Sequence, residues 1–125
     1  FADSPQSLFA RSTHVVLSCP LNEGTRNLVD RSLIELMPSE DCGRHLVNVA
    51  RGGVAVESDI ASCLSDGSLT SYATDVFAEE PCTSSPLFGL EGFSATPHIG
   101  AATREAQDAV SLMVVDRVMD ELAGD

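Results

Sequence analysis

One stretch decides the fold of this chain: Leu46-Val47-Asn48-Val49-Ala50-Arg51-Gly52-Gly53. Its apolar start predicts a buried parallel strand that delivers Arg51 into a crevice at the carboxyl end of the strand. Gly52 and Gly53 allow the chain to turn sharply behind the arginine. Helical sequence with acidic residues follows, so the stretch predicts a strand, a turn and a helix in succession.

Other apolar runs predict further strands on either side of this one. The run His14–Pro20 is almost wholly apolar, so we expect it to be covered on both faces, and Pro20 closes it because proline lacks an amide donor. Two later runs lead into polar loops, one before Glu79, Glu80 and Pro81 and one before Pro97 and His98. We therefore expect four strands, at residues 14–20, 46–50, 69–76 and 93–96.

The segments between these strands have helical spacing. Residues 1–12 are typical of the end of a helix or of a connection that contains a helix. Residues 28–37 predict a second helix capped by Thr25 or Asn27, and residues 54–66 predict a third that ends at Gly67. A final helix at residues 103–122 carries one apolar stripe: Ala106, Val110, Met113, Val114, Val118 and Leu122. Because each connection between strands exceeds about a dozen residues, the strands should be parallel. The predicted fold class is α/β, an open parallel sheet with flanking helices.

Charge and composition exclude several classes of function. The chain has 125 residues, a formal net charge of −12 and seven basic residues, all of them arginine. Such an acidic surface repels phosphate backbones and anionic lipid, so we expect no nucleic-acid partner and no membrane partner. No apolar run approaches the roughly 18 residues of a membrane span. Four cysteines lie about 20 residues apart with no close metal-type pair, which predicts reduced thiols and a cytoplasmic protein.

Four polar residues fall at the carboxyl edge of the predicted sheet: Arg51, Asp75, Glu80 and His98. Each alone has an ordinary explanation, such as a surface ion pair or a turn histidine. Together they lie where open α/β sheets bind ligands. Arginine offers a planar fork for a carboxylate, histidine exchanges protons near neutral pH, and a glutamate on the far ring nitrogen would orient that histidine.

Other chemistries lack their signatures. The chain has no Gly-x-Ser-x-Gly elbow and no cysteine in an evident electropositive setting, so catalysis by a serine or cysteine nucleophile is not predicted. No His, Cys and Asp cluster predicts a metal site. Gly-x-Gly-x-x-Gly and Walker-type phosphate loops are also missing from the sequence.

A set of motifs gives the chain a specific family resemblance. In order along the chain they are Cys19-Pro20-Leu21 with Thr25, the stretch 46–53, Asp75-Val76-Phe77-Ala78-Glu79-Glu80-Pro81, Pro86-Leu87, and Thr96-Pro97-His98-Ile99-Gly100 through Thr103, Glu105 and Ala106. They resemble the D-isomer-specific 2-hydroxyacid dehydrogenases, the family of phosphoglycerate, glycerate, hydroxypyruvate and D-lactate dehydrogenases. The motifs occur in family order and cover nearly the whole chain.

This resemblance implies a Rossmann-type domain and hydride transfer between a D-2-hydroxy acid or 2-keto acid and NAD, with NADP left open. By the same resemblance, Arg51 would clamp the substrate carboxylate and polarise its carbonyl, His98 would be the acid/base, and Glu80 would orient and charge His98. Asp75 would accept a hydrogen bond from the nicotinamide carboxamide. The implied cofactor-binding residues are Cys19 and Pro20 on the adenosine side, Thr25, Val49, Ala50 and Gly100 near the cofactor backbone, and Arg51, Asp75 and His98.

The resemblance also implies how the chain divides. Residues 1–125 correspond to the C-terminal portion of a dinucleotide-binding domain, its last four parallel strands, without the phosphate-loop half and the substrate domain. We expect little or no activity from this portion alone, and a homodimer at full length. Two alternatives stay open: a non-catalytic nucleotide-sensing or corepressor-like module of the same fold, and a truncated chain without present function. The intact set of Arg51, Glu80 and His98 weighs against a pure binder, which needs no tuned proton shuttle.

Overall fold

The structure is a computed structural model that describes residues 2–123. Four parallel strands form one sheet in the order β1-β2-β3-β4: β1 His14–Leu17, β2 His45–Asn48, β3 Ser71–Thr74 and β4 Phe93–Ala95. The helices are α1 Pro5–Phe9, α2 Arg31–Glu35, α3 Glu57–Asp66 and α4 Arg104–Ala123, with a 3₁₀ turn at Gly52–Val54. The predicted α/β class and parallel open sheet are confirmed. Phe1, Gly124 and Asp125, which belong to the predicted domain 1–125, lie outside the described residues.

The core lies on one face of the sheet. Alternate strand residues point into it, among them Val15, Leu17, Leu46 and Tyr72, and α1, α2 and α3 close it with Phe9, Leu33, Ile34 and Ile60. Seventeen buried residues make up this cluster. Burial of that apolar surface is the main force that holds the layers together.

The opposite face of the sheet corrects one prediction. We expected β1 to be covered on both faces, yet within residues 2–123 the helices α1–α3 pack on one face only, and Val16 on the other face is 62% exposed. The strand is also shorter than predicted, since it ends at Leu17 and the chain has entered a polar turn by Pro20. The continuous apolar run therefore did not indicate whether one face of β1 or both faces are buried.

The helix boundaries correct two further predictions. The cap of α2 is Asp30, whose carboxylate accepts a hydrogen bond from the Leu33 amide at 2.9 Å, and not Thr25 or Asn27. Thr25 instead closes a turn in which its hydroxyl donates to the Pro20 carbonyl at 2.6 Å. The apolar stripe of α4 has no buried residue in the described chain, although the helix begins as predicted with the Thr103 hydroxyl accepting from the Ala106 amide. The predicted end of α3 is confirmed, because Gly67 adopts the left-handed conformation with φ 78°.

The strand register sets the position of the site. Leu17 pairs with Asn48, Asn48 with Thr74, and Thr74 with Ala95, so the four strands end level with one another. The loops that follow them therefore leave from one edge of the sheet. In open α/β sheets this is the edge where ligands bind.

Candidate active site at the carboxyl edge of the sheet

A short hydrogen bond at this edge joins His98 to Glu80. Nδ1 of His98 lies 2.6 Å from Oε2 of Glu80, and the other carboxylate oxygen of Glu80 accepts a hydrogen bond from the Phe77 amide at 2.9 Å. The hydrogen bond with His98 lowers the pKa of Glu80 most, followed by the Phe77 amide, and the charge of Arg51 adds a smaller effect in the same direction. Glu80 is therefore held as a carboxylate against one ring nitrogen of His98.

His98 is held in a backbone conformation that few residues with a side chain adopt. Its φ is 55°, in the left-handed region, and its side chain is 43% exposed. Strain of this kind persists where the surroundings fix it and is frequent at functional sites. Here the surroundings are Glu80 on the ring and Asp75 on the backbone that follows.

Asp75 fastens the loop that carries His98. Its Oδ1 accepts from the Ile99 amide at 2.8 Å and from the Thr96 hydroxyl, and its Oδ2 accepts from the Gly100 amide at 2.8 Å. The Thr96 hydroxyl lowers the pKa of Asp75 most, and the Ile99 amide comes next. A carboxylate oxygen has room for two donors, so Oδ2 keeps acceptor capacity beyond the Gly100 amide.

The backbone that presents Arg51 at the same edge is supported by Asn48 and by the close packing of Gly52. The side chain of Asn48 is fully buried, accepts a hydrogen bond from the Ala50 amide at 3.0 Å and donates one to the Arg51 carbonyl at 3.1 Å. Asn48 therefore fixes the backbone on both sides of the peptide bond that joins Ala50 to Arg51. A Cβ on Gly52 would lie 1.9 Å from the carbonyl carbon of Phe77, so only glycine fits there. The Arg51 side chain is exposed, with Nη1 donating to the Ala50 carbonyl at 2.6 Å.

The residues predicted to bind a cofactor fall into neighbouring positions along the edge. A cavity of about 520 Å³ is lined by Cys19, Pro20, Val49, Ala50 and Arg51, together with Ser18 and Leu21. Thr25 supports this cavity from behind through its bond to the Pro20 carbonyl. Val49 also borders a second hollow with Asp75, and Gly100 donates to Asp75 as described.

A smaller and more enclosed cavity lies at the candidate acid/base. Its volume is about 240 Å³, and its walls are Phe77, Glu80, Pro81, Cys82, Pro97 and His98. Apart from the pair itself and the Cys82 thiol, the walls are apolar. Such a cavity suits a small organic molecule that carries one or two polar groups.

Sequence reasoning missed three residues that build this edge: Asn48, Glu57 and Ser85. A buried asparagine at the end of an apolar strand was the available signal, since buried amides must be hydrogen-bonded. Glu57 offered no signal, because an acid in the first turn of a helix is common for electrostatic reasons alone. Its carboxylate instead binds the Ala78 amide and the Ser85 hydroxyl across the loop.

Among residues 2–123 no three His, Cys, Asp or Glu side chains are grouped so that they could hold a metal ion. None of the helices in that range is both long enough and apolar enough to cross a membrane. All four cysteines are free thiols.

The parallel open sheet, with its polar site beyond the carboxyl ends of the strands, defines the class of Rossmann-like α/β proteins. Residues 1–100 match the family described as D-isomer specific 2-hydroxyacid dehydrogenase, NAD binding domain. The chain belongs to this family, and the predicted resemblance is confirmed.

Individual relatives agree with this assignment. The chain is 41% identical over 118 residues to the (S)-sulfolactate dehydrogenase of Chromohalobacter salexigens, covering 94% of this chain and 37% of that protein. It is 38% identical over 122 residues to the D-3-phosphoglycerate dehydrogenase of Mycobacterium tuberculosis, covering 98% of this chain and 22% of that protein.

A solved structure extends the agreement to the fold. The NADPH-dependent glyoxylate/hydroxypyruvate reductase of Sinorhizobium meliloti, in complex with NADP and sulfate, superposes with a TM-score of 0.83 at 26% identity. The match covers 96% of this chain and 38% of that one. The chain thus spans between about a fifth and two-fifths of the length of the proteins it resembles.

Proposed function

We propose that this chain is the C-terminal portion of the NAD(P)-binding domain of a D-2-hydroxyacid dehydrogenase, and that Arg51, Glu80 and His98 carry its catalysis. The observation that carries the proposal is the 2.6 Å contact between Glu80 and Nδ1 of His98. A carboxylate at Nδ1 fixes the tautomer and the ring orientation. Nε2 is then the atom that exchanges a proton with the substrate.

The reaction follows from these groups. When a 2-hydroxy acid is oxidised, its hydroxyl proton passes to Nε2 of His98 while the hydrogen on C2 leaves with its electron pair as hydride. An NAD(P) cofactor bound beside this edge would supply the hydride acceptor for oxidation and the hydride donor for reduction. In reduction, His98 returns the proton to the carbonyl oxygen. The negative charge of Glu80 stabilises the imidazolium whenever His98 holds the extra proton.

Arg51 is proposed to bind the substrate carboxylate. Its guanidinium is exposed at the same edge and is near enough to Glu80 to lower the pKa of that carboxyl group. Only Nη1 is used by the Ala50 carbonyl, so the remaining face of the fork is available to hold a carboxylate by two hydrogen bonds.

The cofactor-binding roles are proposed on the chemistry of the residues present. Oδ2 of Asp75 has acceptor capacity for the amide group of a nicotinamide. The cavity bordered by Cys19, Pro20, Val49 and Ala50 offers an apolar wall to the adenosine part, and Thr25 is hydrogen-bonded to the Pro20 carbonyl at its border. Gly100 is proposed to lie near the cofactor beside Asp75, to which its amide donates. The chain has no Gly-x-Gly-x-x-Gly sequence, so we propose that the pyrophosphate is bound by residues beyond this chain. We further propose a cytoplasmic homodimer for the whole protein, on the basis of family membership and free thiols.

The test uses the whole protein that carries this chain and a panel of small 2-keto acids. Oxidation of NADH and NADPH is followed by absorbance for the wild type and Arg51→Ala. We expect turnover with at least one keto acid and a rise of about 100-fold in KM for Arg51→Ala, because the carboxylate loses a bidentate partner. Binding of the nucleotide without turnover on any acid would instead support a nucleotide-sensing module.

A further inference from the structure

Glu57 joins α3 to the loop that carries Glu80. Its Oε1 accepts a hydrogen bond from the Ala78 amide at 2.8 Å, and its Oε2 accepts one from the Ser85 hydroxyl at 2.9 Å. The two partners lie 21 and 28 residues further along the chain. One half-buried carboxylate therefore holds the loop at two points, one on each side of Glu80.

The same loop has a second fastening just before Ala78. Gly52 packs directly against the Phe77 carbonyl, and the Phe77 amide donates to Oε1 of Glu80. Glu57 and Gly52 both belong to the short segment that follows Arg51. The segment that presents the arginine thus also fixes the backbone from which the glutamate extends.

We infer that Glu57 is a positioning residue for the candidate site: by holding Ala78 and Ser85, it keeps Glu80 against Nδ1 of His98. This inference rests on the proposed function and adds a residue to it. Among residues 2–123, no hydrogen bond joins Glu57 to His98. Its effect on catalysis passes through the position of Glu80.

A favourable interaction with the dipole of α3, which any acid in its first turn would have, does not account for the contacts of Glu57 with Ala78 and Ser85. Asp59 lies in the same first turn, and its Oδ2 accepts from the Arg31 amide at 3.0 Å, which ties α3 to α2. Both acids favour the positive end of the helix dipole. Only Glu57 reaches the loop of Glu80, so Asp59 is a matched control for every effect of losing an acid from this turn.

The first measurement follows the loop in the chain itself by NMR. Glu57→Ala removes both bonds, whereas Glu57→Gln can accept from Ala78 through its oxygen and donate to Ser85 through its nitrogen. We expect the Phe77 amide to exchange with solvent at least about tenfold faster in Glu57→Ala, and near the wild-type rate in Glu57→Gln and Asp59→Ala. Ser85→Ala, which removes one bond of the two, is the milder variant should Glu57→Ala fold poorly, and an intermediate exchange rate is expected for it.

The second measurement is the pKa of Glu80, read from its carboxyl chemical shift. Loss of the negative charge at position 57 alone would lower this pKa, since a like charge is removed. Release of the loop would raise it, because the bonds from His98 and Phe77 that hold it down would loosen. A rise in Glu57→Ala supports the inference. An unchanged or lowered pKa together with unchanged Phe77 exchange overturns it.

Turnover of the whole protein separates this inference from the proposed function. We expect kcat to fall by about tenfold or more in Glu57→Ala with little change in KM, and to be retained in Glu57→Gln and Asp59→Ala. Loosening of the loop without loss of kcat would support the positioning of Glu80 by Glu57 and contradict the catalytic role of Glu80. Loss of kcat to the same extent in Asp59→Ala would overturn the specific role of Glu57.

Discussion

Oε2 of Glu80 and Nδ1 of His98 lie 2.6 Å apart although the residues are 18 positions apart in the sequence and leave different strands. Two loops must be fixed independently for this contact to form. Asp75 fixes the loop of His98 through the Ile99 and Gly100 amides, and Glu57 fixes the loop of Glu80 through Ala78 and Ser85. The contact between Glu80 and His98 therefore depends on the anchoring of both loops by Asp75 and Glu57.

Glu80→Gln removes the charge of Glu80 and one of its two acceptor oxygens. The remaining oxygen can accept from Nδ1 of His98 or from the Phe77 amide but not from both, and the side chain no longer stabilises the imidazolium. We expect kcat of the whole protein to fall by about 10- to 100-fold with KM little changed. Steady-state kinetics of Glu79→Gln, which alters the adjacent exposed acid, should match the wild type. Equal losses in both variants would mean that the pair with His98 is not the cause.

Gly52 should be intolerant of any side chain. Gly52→Ala places a methyl group 1.9 Å from the Phe77 carbonyl carbon, so the backbone must move, at a cost of about 1–3 kcal/mol in the free energy of unfolding. Gly24→Ala is the control, since a Cβ there would meet only the Asn22 side chain at 3.4 Å. Urea unfolding of the two variants gives the comparison. Similar stability for both would show that the backbones of Gly52 and Phe77 do not touch.

Asp66 should make stability depend on acid pH. The Ser68 hydroxyl, followed by Arg31, lowers the pKa of Asp66 from 3.8 to about 2 in the folded chain. Because the folded pKa is lower than the unfolded one, this contribution is complete above about pH 4 and is lost as the pH falls toward 2. The free energy of unfolding of Asp66→Asn, measured against the wild type, should differ at pH 6 and converge toward pH 2. A difference that stays constant over that range would rule out this role for the ionised carboxylate.

Asp75 should control the order of the loop around His98. In Asp75→Asn one oxygen becomes an amide nitrogen, which cannot accept from a backbone N–H. We expect hydrogen exchange at the Ile99 or Gly100 amide to accelerate by about tenfold or more. Asp41→Asn, at an exposed position in another loop, is the control. Protection of both amides in Asp75→Asn would contradict the anchoring that the structure shows.

The features that depend on local pattern were predictable from the sequence. Gly67 ends α3 because glycine adopts the left-handed φ at no steric cost, and the long connections between apolar runs predict parallel strands. Those two facts already place the loops of Arg51, Asp75, Glu80 and His98 at one edge. The sequence therefore indicated where the site lies before any distance was known.

Features that depend on partners distant in sequence were not predictable. Asp30 caps α2 while Thr25 closes a turn, and nothing in their local sequence ranks one above the other. The apolar stripe of α4 and the side chain of Val16 are exposed in the described chain. An apolar pattern therefore predicts a surface that is able to pack, but it does not show that a partner surface covers it. Glu57 was missed for the same reason, because its role is set by Ala78 and Ser85.

His98→Asn is the variant that shows whether His98 exchanges the substrate proton. Asparagine tolerates the left-handed backbone at this position, so the loop can keep its shape while the titrating ring is lost. In the whole protein, reduction of the preferred 2-keto acid should slow by about 100- to 10,000-fold while binding of the nucleotide persists. His14→Gln, at the far end of β1, should remain active. Turnover of His98→Asn within a few-fold of the wild type would contradict the account.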